Sequence, residues 1–549
     1  MRSFFPILTA IVVSLFLIAV GSFYWILQQS SLNLLSGGVT VNPNAAMFIS
    51  KQAPVMVSLL VNPDRLDSFA QFVSSGKDRR RSHREISQIR DNLIAKTKIN
   101  YKNELQAWLG DEVTWAVTSL DYDHNLDNGI TPGYLLVVEN KNSLLAKEFL
   151  EIYYSKQAIS ELAELVFTQY QGVKIISQRP LIDNLKVSRV SSAVVGNFVL
   201  FANDSQVIKE AINNAQAVQL NLAHYQPYQQ AISTITEPKI SVTYVNLPNT
   251  SAWLGNSSSP QRPFIQQTLT LSLSLTRQGL VAHSALFGVE AQANQIPSFT
   301  NPPLSLNYIP QESILVASGR NLQQFWQQVS TGLPQNSPLE QIVNQTLTSI
   351  EKSLQISLAK DIFSWVDGEY SLALFSDQES KKPHWIFVTD KQDLTPIQHL
   401  DELAKNQGLS VGNLPLAEQT ITTWTNLVTT SKNKFASLNA EVKGVHATMN
   451  NYQILTNSVD VLHDLMANRH DSLLNAPSFQ DALSSLPSEN NGYLYIDWEK
   501  FEPILAQKFP VIRVAELVFQ PLFDNLRSLI ITSEGIINQV QRTTILCRF

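Results

Sequence analysis

The sequence predicts an α+β protein in which an N-terminal transmembrane helix precedes two tandem, internally duplicated α+β units with mainly antiparallel sheets. Three observations carry this expectation. The chain opens on a long uncharged apolar segment, a Trp-containing block recurs in unchanged surroundings, and hairpin-like strands mix with helices without the regular alternation of a parallel sheet.

The recurring block is Glu104-Leu-Gln-Ala-Trp108-Leu-Gly-Asp-Glu112-Val, which returns as Asp361-Ile-Phe-Ser-Trp365-Val-Asp-Gly-Glu369-Tyr. The offset, 365 − 108, is 257 residues. Each copy reads as a helix end carrying a Trp, a Gly/Asp turn and a strand opened by Glu. Landmarks around the block follow in the same order. Val55 to Val61 answers to Ile314 to Ser318, and the helical face of Ile86, Ile89 and Leu93 answers to Val343, Thr346 and Ile350. Tyr134 to Val138 corresponds to Trp385 to Thr389, each feeding a helix, expected over Leu144 to Leu165 in the first copy. Asn197 to Asn203 matches Asn451 to Asn457, Tyr228 to Ala231 matches Phe479 to Ala482, and Val242 to Asn246 matches Tyr493 to Asp497.

The first copy closes on Thr268 to Thr276, whose apolar/polar alternation suits a half-buried antiparallel strand, then a turn at Gly279 and a return strand to Phe287. Ser528 to Thr532, a turn at Gly535 and Ile536 to Leu546 close the second. The units are thus expected at 47–295 and 305–549. The proline-rich stretch 296–304 reads as the linker, because proline disfavours both ladders and helices.

No side chain from Phe4 to Leu27 is charged. A helix over 4–27 would reach roughly 36 Å, enough to cross a hydrocarbon core of about 30 Å. A cleaved secretory signal ending near Ala19-Val-Gly21 is the competing reading. The apolar run continues through Phe23, Tyr24 and Trp25, aromatics suited to a membrane interface, which favours a retained single-pass anchor. Arg2 precedes the span and no Lys or Arg follows until Lys51, so the N-terminus is expected in the cytoplasm and the bulk of the chain outside it, in a periplasm or a thylakoid lumen. Residues 28–46 read as a tether.

Composition narrows the function classes. With 549 residues, 44% hydrophobic and 16% charged, the chain is globular and too long for one core. A net charge of −6 offers no cationic surface to release counterions from a polyanion, so nucleic acid is not an expected partner. The single cysteine, Cys547, rules out an intramolecular disulfide, a Cys-based zinc site and a CxxC pair.

Motifs with a mechanism are missing: there is no GxxxxGK[ST] phosphate loop, no GxGxxG after a strand, no HExxH and no GxSxG elbow. Asp121, Asp123, Asn125 and Asp127 place oxygen ligands at alternate positions, as a calcium loop begins. Leu126 stands where such a loop needs Gly, and Pro132 where it needs a bidentate Glu, so a solvated hairpin loop is the expectation. His463 and His470 lie seven apart without a neighbouring Cys or paired carboxylate, and no metal or cofactor is expected there. Lys77, Arg79, Arg80, Arg81 and Arg84 form the one dense basic run, a candidate contact for anionic lipid or an acidic partner and otherwise a solvated loop. Trp108 with Glu112, and Trp365 with Glu369, read as a buried Trp beside an exposed strand start. Acid–base work would need two carboxylates in one cleft with split pKa values.

At Gln52-Ala-Pro-Val-Met-Val-Ser-Leu-Leu-Val-Asn-Pro-Asp-Arg-Leu66, behind a single anchor, the chain resembles the bacterial domain-of-unknown-function family thirty-three fifty-two, often seen in cyanobacteria. That resemblance implies a membrane-attached extracytoplasmic protein. It supplies no activity, cofactor or catalytic residue.

The expected function is a membrane-anchored extracytoplasmic binding or scaffolding protein rather than an enzyme, with the membrane and a protein or lipid as partners. An envelope lipid or pigment carrier or sensor with an apolar groove is the alternative. A hydrolase assembled from scattered Ser, Asp and His side chains is the third reading.

Overall fold

Val55–Leu59 (β1) buries Met56 and Ser58 on one face, and the strands that follow join it in one antiparallel sheet. The computed structural model describes residues 37–62, 64, 100–125, 129–161, 163–180, 190–253, 267–276, 279–288, 297–332, 348, 351, 356–376, 383–390, 394–416, 419–432, 435–467, 471–502, 526–537 and 540–548.

The first half continues with β2 (Leu109–Ser119), β3 (Gly133–Asn140), β4 (Ala163–Tyr170), β5 (Val173–Pro180), β6 (Ser191–Val195), β7 (Phe198–Ala202), β8 (Ser241–Asn246), β9 (Thr268–Leu275) and β10 (Gly279–Phe287). The second half supplies β11 (Leu315–Arg320), β12 (Glu369–Ser376), β13 (Pro383–Asp390), β14 (Ser410–Leu416), β15 (Gln419–Lys432), β16 (Phe435–Met449), β17 (Tyr452–Thr456), β18 (Gly492–Asp497), β19 (Ser528–Ile537) and β20 (Val540–Arg548). The main helices are α1 (Ser143–Glu161), α2 (Ser205–Gln216), α3 (Gln226–Ser233), α4 (Leu247–Trp253), α5 (Leu322–Gly332), α6 (Thr395–Asn406), α7 (Val459–Met466) and α8 (Pro477–Leu483).

Hydrogen-bonded order in the first half is β4-β5-β6-β7-β3-β2-β1-β8-β9-β10. The second half repeats it as β14-β15-β16-β17-β13-β12-β11-β18-β19-β20. β10 then pairs with β20, joining the halves into one 20-stranded sheet. The expectation of an N-terminal transmembrane helix followed by two tandem, internally duplicated α+β units is corrected here to a single large sheet. The last strand of each half would otherwise leave a row of backbone donors and acceptors unpaired, and their pairing satisfies both rows. Among the described residues no helix is long and apolar enough to cross a membrane. The expected span 4–27 lies outside the described residues.

The sheet is a middle layer. In the first half, Met56, Ala116, Leu135, Leu200 and Tyr244 pack on one face under α2, α3 and the 3-10 turn Asn44–Phe48. Trp115, Leu136, Val138 and Val199 pack on the other face under α1. The second half repeats this with α7 and α8 over one face and α6 over the other. Side-chain caps start the short helices: Asp204 accepts from the Gln206 amide at α2, and Ser458 from the Val461 amide at α7. Residues at the end of the expected tether lie against the first half, with Val39 bridged to Lys239 and Ala45 and Ala46 fully buried. In the linker, Phe299 is buried, bridged to Asn490, with the Arg320 guanidinium over its ring.

Two local expectations change. α1 ends at Glu161, so Leu165 belongs to β4 and not to a helix. Gln171 and Gly172, both with positive φ, close the β4–β5 hairpin with Tyr170 opposite Val173, a two-residue turn of the type that matches strand twist. Gly535 is not a hairpin turn either. It sits within β19 at φ 79°, at a register shift after Ser533, and β19 runs on to Ile537.

Candidate functional site

Glu112 and Glu369, expected at exposed strand starts, are 4% and 9% exposed. The Ala45 amide donates to Glu112 Oε1 and the Asn44 amide to Oε2, both at 2.9 Å, and the Thr114 hydroxyl adds a third bond at 3.0 Å. The carboxylate thus takes the free amides that open the 3-10 turn over the sheet. Glu369 does the same for the turn Leu304–Tyr308, accepting from the Ser305 amide at 2.5 Å and from the Tyr452 hydroxyl at 3.3 Å. The aromatic pair beside each clamp differs: Phe48 meets Phe198 in the first half, Tyr308 meets Tyr452 in the second, both at 5.3 Å. Burial pushes the Glu112 carboxyl up to about 7 despite its amide and hydroxyl donors.

The two tryptophans brace the same corner. Each indole N–H donates to the carbonyl four residues earlier, Trp108 to Glu104 and Trp365 to Asp361, both at 2.7 Å. Glu104 and Asp361 in turn accept from the Asn100 and Ser357 amides that open their own π-helical turns. These carboxylates hold backbone in place. The acidic side chain facing Glu112 is Glu139, and its Oε2 accepts from the Asp111 and Glu112 amides.

A second constellation occurs in one half only. Asp401 on α6 accepts from the Trp424 indole N–H at 2.7 Å, and the same oxygen lies 2.9 Å from His446 Nε2. His446 Nδ1 is 3.2 Å from Gln453 Nε2, and the Thr448 hydroxyl donates to Gln453 Oε1 at 2.8 Å. With the amide nitrogen donating to Nδ1, the ring proton sits on Nε2 and points at Asp401; this tautomer is assigned from the network. Both ring nitrogens are engaged, so His446 has none with which to take a proton from a hydroxyl nucleophile. Matching Asn203 to Asn457 puts Ser192 and Val199 of the first half where His446 and Gln453 stand.

This network lies at the root of a long hairpin arm. β14 pairs with β15 only as far as Thr425, and β17 pairs with β16 only from Val445. Beyond those points Asn426 to Lys432 and Phe435 to Glu441 pair with each other alone, among the described residues. At about 3.4 Å per residue the ribbon reaches roughly 20 Å. It leaves the sheet at a bulge, where Trp424 faces Gly444 and Thr425 faces Val442. A Cβ on Gly444 would lie 2.4 Å from Trp424 Cε3, so the ring covers bare backbone there. In the first half, β5 and β6 pair over Ile175–Ser177 only.

The residues singled out by sequence fall elsewhere. Asp121 accepts from the Thr131 amide and Asp123 from the Asn125 amide, as a polar loop does, while Asp127 lies outside the described residues. Among the described residues no group of three His, Cys, Asp or Glu side chains is placed to hold a metal. His463 is half-buried beside the exposed Asp464, and His470 lies outside the described residues, as do Lys77, Arg79, Arg80, Arg81 and Arg84.

A family model described as "Protein of unknown function (DUF3352)" matches residues 8–549. The chain belongs to the DUF3352 family. No curated protein and no solved structure matches it. In this DUF3352 chain the residues that sequence reading missed are Asp401, Trp424, His446 and Gln453. Their signal was the difference between the copies: a strict pairing of strands sets His446 against Ser192 and Gln453 against Val199, polar against small or apolar.

Proposed function

We propose that this DUF3352 chain is a non-enzymatic binding or scaffolding protein that takes its partner along the β15–β16 arm. The observation that carries the reading is a ribbon whose two outer edges pair with no other strand among the described residues, set on a hydrogen-bonded root. A two-stranded ribbon alone is marginal in water, and a third strand or a covering surface completes it. The fitting partner is an extended polypeptide segment, added edge to edge through main-chain hydrogen bonds. Support for a binding role over hydrolysis comes from the acids, since buried Glu112 and Glu369 hold backbone amides and half-buried Asp401 holds an indole, and from His446, whose ring nitrogens both have partners.

The test replaces the ribbon beyond Asn426 and Glu441 with a short Gly-containing turn in the full chain. Affinity capture with the intact and shortened proteins, compared by quantitative mass spectrometry, should show proteins retained by the intact chain and lost with the arm. Identical sets from the two would sink the reading.

A further inference from the structure

We propose that two copies of this chain pair antiparallel through the outer edge of β4, with Phe167 facing its counterpart across a two-fold axis. The proposal stands apart from the arm, which lies at the other end of the sheet.

β4 is the terminal strand of the first half, and among the described residues it pairs with β5 alone. The turn at Gln171 and Gly172 sets which of its backbone groups are free. Residues flanking a two-residue hairpin loop form a hydrogen-bonded pair, so Tyr170 bonds Val173, and with it Thr168, Val166 and Glu164 turn their amides towards β5. The amides and carbonyls of Leu165, Phe167 and Gln169 therefore point outward, away from β5.

Edge strands in stable monomers carry proline, lysine, bulges or a covering element. β4 has no Pro, Gly or Lys and no register shift, and Phe167 on it is 54% exposed. The opposite terminal strand, β14, contains Gly412 and Pro415, and Pro415 has no amide hydrogen to give. The contrast selects the partner. Pairing β4 with β14 of another copy would be head-to-tail and would propagate into a filament, which Pro415 disfavours. Pairing β4 with β4 closes after two copies.

The strand is also self-complementary. A two-fold axis normal to the sheet at Phe167 sets Leu165 against Gln169, Val166 against Thr168 and Glu164 against Tyr170, so no like charges meet. It brings together the outward-facing pairs and matches the geometry by which β10 meets β20 within the chain, where equivalent strands pair about a comparable axis. The second copy repeats outside the molecule the joint that already exists inside it.

Sedimentation velocity and light scattering on the purified full-length chain across the micromolar range should show a monomer–dimer equilibrium with no larger species. Phe167→Lys places a charge on the edge. Leu165→Pro removes one outward donor without taking a bond from the β4–β5 ladder. Each should raise the dissociation constant about tenfold or more, with the melting transition showing that the fold is kept. Leu427→Lys, at an exposed leucine on β15, is the control and should leave the dimer intact. A wild-type chain monomeric throughout, variants that dimerise as wild type does, or loss of the dimer in the control would each overturn the proposal.

Discussion

His283 and Thr544 occupy equivalent positions in the two halves and face each other across the β10–β20 ladder, His283 Nδ1 lying 3.2 Å from the Thr544 hydroxyl oxygen. The equivalence follows from register. From β1, Val55 leads through Val245 and Leu269 to Leu286; from β11, Leu315 leads through Ile496 and Leu529 to Cys547. His283 and Thr544 stand three residues before those end points. A pseudo-two-fold axis therefore passes between them, and the sheet is a duplicated unit joined to itself edge to edge.

That position makes His283 a probe of the joint. Burial holds its imidazole below the usual value, while Glu237 and Glu534 pull it upward. The unfolded histidine then binds its proton at a higher pH than the folded one. Stability from this group is full above about 6.5, the unfolded value, and is lost as pH falls through it. Denaturant titrations at neutral pH and at pH near 5.5 should show a shallower acid loss for His283→Gln than for wild type. Parallel losses would contradict the assignment.

Glu112 carries the opposite slope. Its carboxyl is raised from 4.5 to about 7, so the folded state holds a proton that the unfolded state releases. Stability from Glu112 is full below about 4.5 and falls as pH rises to about 7. Above that the core contains a charge costing up to about 3 kcal/mol. Glu112→Gln loses acceptor capacity for the Asn44 and Ala45 amides at every pH, but it escapes the charge. Its deficit against wild type should shrink between pH 5 and pH 8 in urea unfolding; a constant deficit would exclude a buried titrating Glu112.

At the root of the arm, Asp401→Ala leaves the Trp424 indole N–H and the His446 Nε2–H without their acceptor. One buried and one half-buried donor left unpaired predict a loss of about 1–3 kcal/mol. Asp401→Asn keeps one acceptor oxygen and should lose less. Differential scanning calorimetry on wild type and the two variants distinguishes these outcomes, and both variants melting as wild type does would mean the network contributes nothing.

Gly444→Ala should displace the Trp424 ring, since the added methyl has no room above the backbone. The expected loss is about 1–3 kcal/mol, with a red-shifted indole emission that is absent when the same change is made in a Trp424→Phe background. An unshifted spectrum would place the ring elsewhere.

Cys547 on β20 is half-buried, and burial pushes its thiol up to about 12. The thiolate is the reactive form. A disulfide reagent at pH 8 should therefore modify the native chain slowly and the urea-unfolded chain at the rate of a free thiol. Equal rates would show Cys547 to be open to solvent.

Much of this was legible in one dimension. Landmark order, from the Trp108 and Trp365 corners to the strands at Val242 and Tyr493, is a matter of local periodicity and turn chemistry, which neighbours in sequence express. β4 was not, because Ala163–Tyr170 follows a helix directly and its short apolar run suits either state. Glu112 and Glu369 read as exposed because an acid at a strand start usually is. Their burial depends on amides 67 and 64 residues away, at Ala45 and Ser305. The Asp401, Trp424, His446 and Gln453 network likewise joins a helix to three strands that no local pattern brings together.

By itself, the sequence determined that one block occurs twice, that its strands alternate as antiparallel strands do, and that no familiar catalytic motif is present. Tertiary structure alone decided that the two blocks share one sheet, that their acids clamp backbone, and that one hairpin outgrows the body. The reason is physical: strand neighbours are chosen by main-chain hydrogen bonds, which every residue but proline offers alike, so side-chain identity hardly records which edges meet.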